Sequence, residues 1–140
     1  MKTWMKVLII VVVVIVGISA YLYFYPPMPL YIYRTENIVD EFLAAYSNGD
    51  TAVNLYLQGD DTKFSEVLKR MDKCFKKFRR IHPPPGAKLD YEQLEKAFLL
   101  SVNAMVSRII EDDVDTRRIY ITRSRNAWYD WKETRKKLKE

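Results

Sequence analysis

The chain is poor in residues that make chemistry. Its 140 residues hold one cysteine, Cys74, and one histidine, His82. A single cysteine excludes an intramolecular disulfide. A single histidine gives a Ser-His-Asp or Cys-His device only one place to form, and no nucleophile motif surrounds any serine. A His/Cys metal site would have to recruit carboxylates or Cys74, which lies eight residues back on an apolar face. No asparagine begins an Asn-x-Ser/Thr acceptor. Only four glycines are present, and no Gly-rich phosphate loop. Proline is confined to two clusters, 26–29 and 83–85. Between them lie long uninterrupted segments, which favour helices.

Charge is missing from one stretch in particular. Residues 7–25, VLIIVVVVIVGISAYLYFY, contain no charged side chain. At about 1.5 Å per residue a helix of that length nearly matches a bilayer's hydrocarbon core, roughly 30 Å. Lys2 and Lys6 precede it, and Pro26, Pro27 and Pro29 follow. Residues 1–25 therefore read as an uncleaved signal anchor. The nearest basic residue on the far side is Arg34, so the positive-inside rule puts the N-terminus in the cytoplasm and the rest outside the cell membrane. The rival is a signal peptide cut near Ala20, giving a secreted form. Ile18 is bulky for the site two before that cut, and apolar character continues past it to Tyr25. No cysteine follows the run closely, which excludes a lipoprotein cleavage site. Trp4, Tyr21, Tyr23, Tyr25, Tyr31 and Tyr33 cluster at the two ends of the run and are expected at the membrane interface, where amphipathic rings are suited to the headgroups.

Residues 26–34 read as a Pro/Tyr-rich juxtamembrane linker and 35–140 as one extracytoplasmic domain, long enough for a real core. Its charge is polarised. Residues 35–115 carry 11 basic and 15 acidic side chains; residues 116–140 carry nine basic and three acidic.

Apolar spacing predicts a first helix from about Glu36 to Ser47, with Thr35 as N-cap and Asn48-Gly49 as its stop. Residues 52–58 lean helical. A helix over 62–81 places Phe64, Val67, Met71, Cys74 and Phe78 on one stripe, so Cys74 is expected to be buried. His82-Pro83-Pro84-Pro85-Gly86 reads as a stiff elbow. The next helix starts with Asp90 as N-cap and Gln93 completing a capping box, and runs to about Ile110. The last spans 116–139, with Asp115 as cap and Tyr120, Ala127, Trp128, Trp131 and Leu138 inside. The fold class is all-α: an N-terminal transmembrane helix followed by an up-and-down bundle of three to four helices.

The acidic run Glu111-Asp112-Asp113-Val114-Asp115 lacks the alternating ligands, central glycine and closing glutamate of an EF-hand, and reads as a helix junction. Nothing singles out two carboxylates for glycoside chemistry. No catalytic, metal or cofactor residues are assigned, and the chain is read as a non-enzyme. The candidate interaction surface is Arg123, Arg125, Lys132, Arg135, Lys136 and Lys137, interleaved with Trp128, Tyr129 and Trp131. That pattern suits nucleic acid, an anionic surface or an acidic protein; an extracytoplasmic placement disfavours nucleic acid. The expected role is protein–protein contact, as an accessory subunit, scaffold or envelope factor. The alternative is a binding module for a lipid, small ligand or anionic polymer.

Overall fold

A computed structural model describes residues 2–140. Six helices account for nearly all of it, and no strand occurs among the described residues. They are α1 (Thr3–Phe24), α2 (Met28–Ser47), α3 (Gly49–Leu57), α4 (Thr62–Arg79), α5 (Lys88–Ile110) and α6 (Val114–Lys139).

α1 buries none of its residues and is long and apolar enough to cross a membrane. Five helices, rather than three or four, make up the remainder. The expected linker is mostly helix: α2 begins at Met28, eight residues before Glu36. Pro27 is its N-cap and Pro29 lies in its first turn, where an absent N–H costs nothing. The helix therefore extends back through Tyr31 and Thr35, both fully buried.

Asn48 ends α2 and opens α3 without a break, so Asn48-Gly49 is a corner between helices. The stop comes at Gly59, with φ of 97°. There the Asp60 N–H donates to the Leu55 carbonyl (2.9 Å) and the Gly59 N–H to that of Tyr56 (3.0 Å), which is a Schellman close. α4 follows the expected stripe. The elbow after it ends in a turn closed by the Ala87 N–H on the Pro84 carbonyl (3.0 Å), with Pro85 and then Gly86 (φ 89°) at its corners, as a type II turn requires.

The core joins Phe42, Val67, Met71, Phe78, Leu94, Phe98, Met105 and Trp131. Phe98 sits at its centre, with ring centroids 4.5 Å from Phe42, 5.0 Å from Phe78 and 5.6 Å from Trp128. Cys74 is buried there as a free thiol. α5 against α6 is the most extensive pairing, and α4 packs on α2 and α3. Phe78 of α4 stacks on Tyr91 of α5 (4.4 Å), which brings the end of α4 to the start of α5. His82, in the elbow, lies 5.4 Å from the rings of both Tyr23 and Phe24. The elbow and the exit of α1 thus share one end of the bundle.

Three expected caps are displaced. Thr35 lies inside α2, whose N-cap is Pro27. Asp90 is not an N-cap: α5 starts at Lys88 and Asp90 turns inward, almost fully buried. Asp113 rather than Asp115 caps α6. Its carboxylate accepts the Thr116 hydroxyl (2.8 Å) and the Asp115 N–H (3.1 Å), which holds it below the usual carboxylate range.

Candidate functional site

The polar residues nearest the exit of α1 form a lock rather than a surface. Arg135 is buried to 4 % exposure. Its Nε donates to Asp90 Oδ2 (2.8 Å) and its Nη2 to Asp90 Oδ1 (2.7 Å), a bidentate pair. Nη2 also donates to Thr35 Oγ1 (2.8 Å), and the Tyr31 hydroxyl donates to Asp90 Oδ1 (2.8 Å). The guanidinium lies 4.9 Å from the Trp131 ring centroid and 5.6 Å from that of Tyr31. Burial alone would lower the Arg135 pKa; the hydrogen bonds and charge of Asp90 outweigh it and raise it above its ordinary value. Burial, then the Asp90 carboxylate, pushes the Tyr31 hydroxyl well above its usual range. One side chain therefore ties the start of α2, the start of α5 and the end of α6 together.

Two sequence expectations fall with this. Arg135 is not part of an exposed surface, and the Tyr31 side chain is packed inside the bundle rather than exposed beside α1. Trp4, Tyr21, Tyr23, Tyr25 and Tyr33 are exposed.

The other five residues of the expected surface are exposed but point three ways. Arg123 borders a shallow depression beside α5, with Lys96, Leu100 and Asp130. Lys136 and Lys137 occupy the end of the helix. Arg125 and Lys132, seven residues apart, flank a groove of about 460 Å³ between α2 and α6. Leu43, Tyr46, Ile121, Trp128 and Tyr129 line it. α2 and α6 meet here through side chains, Phe42 on Trp128 at 6.0 Å, rather than packing closely along their length. Beneath the groove, Trp128 Nε1 donates to Ser101 Oγ (2.7 Å), which lies 2.9 Å from Ser124 Oγ. That chain fixes the indole, so the groove wall is rigid.

The groove continues toward the far end. Ile121 also lines a depression with Gly49, Met105 and Arg108, and a third with Val53, Leu57, Val114, Arg117 and Arg118. The furrow is apolar along its floor and cationic along its rim, and Asp50, its one acid, is already paired with Arg108.

Elsewhere the interior is filled by Phe64, Phe75, Phe98, Trp128 and Trp131. Burial raises the Cys74 thiol above its usual pKa, reinforced by Glu41. Ser101 and Ser124 bond each other, and His82 sits apart from them in the elbow. Among the described residues no three His, Cys, Asp or Glu side chains are placed to hold a metal. No family model, curated protein or solved structure matches the chain.

Proposed function

We propose that this is a single-pass membrane protein whose helical domain docks a protein partner outside the membrane, as an accessory subunit or scaffold. The N-terminus lies in the cytoplasm, the orientation that Lys2 and Lys6 favour. The observation that carries the docking reading is the furrow along α6. Tyr129 is 64 % exposed beside it and Leu43 is 37 % exposed. Aromatic, rigid walls with cations on the rim suit an amphipathic helix. Charge complementarity selects an acidic one: Arg117, Arg118, Arg125 and Lys132 face the site and its only acid is already paired.

A photo-crosslinking residue at position 129, used in native membranes, tests this. The expected product is one protein adduct whose mapped peptide is an acidic amphipathic helix, lost on Arg125→Glu with Lys132→Glu. An adduct of lipid mass would favour the ligand-binding alternative. No adduct, or one indifferent to charge reversal, would overturn the docking site.

A further inference from the structure

The bundle is electrically polarised along its length. The end that receives α1 is formed by the start of α2, the end of α4, the start of α5 and the end of α6. Residues 73–92 there carry six basic and two acidic side chains, and residues 131–140 carry five and two. Of these, Asp90 and Arg135 neutralise each other internally, so the excess of basic residues comes from the others. At the opposite end, residues 48–63 and 105–118 together carry four basic and seven acidic side chains.

We infer that this basic end is a binding surface for anionic lipid headgroups, which clamps the bundle against the membrane that α1 enters; the inference rests on the reading of α1 as a membrane span. Three observations support it. The first is position: the His82 ring touches Tyr23 and Phe24, so the elbow between α4 and α5 sits at the exit of α1. The second is availability. Arg79, Arg80, Lys88, Lys136 and Lys137 are exposed, and Arg80, Lys88 and Lys137 form no ion pair among the described residues. The third is that helix dipoles do not account for the whole pattern. They favour cations at the ends of α4 and α6, but Lys88 sits at the positive end of α5.

Distance sets the orientation. The surface potential of an anionic leaflet fades within a Debye length, about 8 Å at physiological salt. α5 alone, at 23 residues, spans about 35 Å, so the acidic far end lies beyond that field. The membrane therefore attracts one end and scarcely repels the other.

The full chain, labelled with an environment-sensitive fluorophore at Glu140→Cys in a Cys74→Ala background, is reconstituted into vesicles. One set is phosphatidylcholine and the other equal parts phosphatidylcholine and phosphatidylglycerol. The expected result is a several-fold loss of quenching by acrylamide, a neutral quencher, in the anionic vesicles only. It should be reversed in about 1 M salt, where the Debye length is about 3 Å. Arg79→Glu, Arg80→Glu, Lys136→Glu and Lys137→Glu together should abolish it with helicity unchanged, whereas Lys63→Glu with Arg118→Glu at the far end should leave it. Vesicle flotation separates the two readings. A chain that floats but quenches equally in both lipids overturns the clamp and leaves the anchor standing. A chain that does not float overturns both.

Discussion

Arg135 is the residue on which the most structure converges. Removing it strands Asp90, a carboxylate almost fully buried whose other partner is the Tyr31 hydroxyl. Arg135→Met is therefore expected to destabilise the domain by about 3–5 kcal/mol, the usual cost of orphaning a buried charge. Adding Asp90→Leu should recover part of that loss, because it removes the stranded carboxylate but leaves the buried Tyr31 hydroxyl without its acceptor. Denaturant unfolding of the full chain in detergent, followed by the near-ultraviolet signal of Trp128 and Trp131, reads both. Equal stability of wild type and Arg135→Met would mean that the lock carries no weight. From sequence, all four lock residues are assigned elsewhere, Arg135 to a surface, Tyr31 to a membrane interface, and Thr35 and Asp90 to caps, yet a signal was present. Arg135 follows Trp131 by four, Asp90 precedes Leu94 by four, and Tyr31 and Thr35 precede Ile38 by seven and three, so each lies on its helix's inner stripe. Apolar residues alone do not reveal it: a polar side chain on a stripe is buried only when partners converge from other helices, and that pairing is a tertiary fact.

At the scale of the element, local chemistry places most of the helices and tertiary packing moves their ends. The stripe of α4 and the elbow at Pro83–Pro85 follow from spacing and from proline's fixed φ. The start of α2 departs because proline, a breaker inside a helix, is welcome in the first turn. Asp90 departs because a carboxylate beside a buried arginine gains more than one capping a helix. Gly59 shows the opposite case, where the backbone alone decides. A Cβ there would meet nothing within 4 Å, yet φ is +97°. Gly59→Ala is expected to cost about 1–2 kcal/mol through left-handed strain alone. Gly59→Asn should cost less, since asparagine tolerates that region. Gly49→Ala offers the control: its φ is ordinary for a helix, and the Cβ would meet the flexible Met105 side chain at 3.3 Å. Thermal melts of the three variants should rank Gly59→Ala lowest of the Gly59 pair; a Gly59→Ala melt equal to wild type would remove the strain argument.

The whole molecule joins an apolar rod to a domain whose charge and titration are both asymmetric. The polarity of charge was visible along the chain as a basic terminus, but its meaning depends on the fold. Folding brings residues 73–92 beside residues 131–140, and only then does a basic end exist. The titrating groups lean one way as well. Burial raises Tyr31, Tyr46, Tyr91 and Cys74 above their ordinary values. Such groups keep their protons longer in the folded domain than in the unfolded chain. Their stabilising effect is therefore complete below the unfolded values, about 8.5 for a thiol and about 10 for tyrosine, and drains away as pH rises through and beyond them. The domain is expected to keep a level melting temperature through neutrality and to lose it steeply above about pH 10. Tyr31 should dominate, since burial and the Asp90 carboxylate both oppose its ionisation. Tyr31→Phe removes one donor from Asp90 and lowers stability at neutral pH, but it should flatten the alkaline fall, because the unfolded chain then has one phenol fewer to ionise. Melting curves of wild type and Tyr31→Phe between neutral and strongly alkaline pH decide it: parallel declines would show that the buried phenol contributes nothing to the alkaline transition, whereas convergence of the two curves would trace that transition to the lock joining α2, α5 and α6.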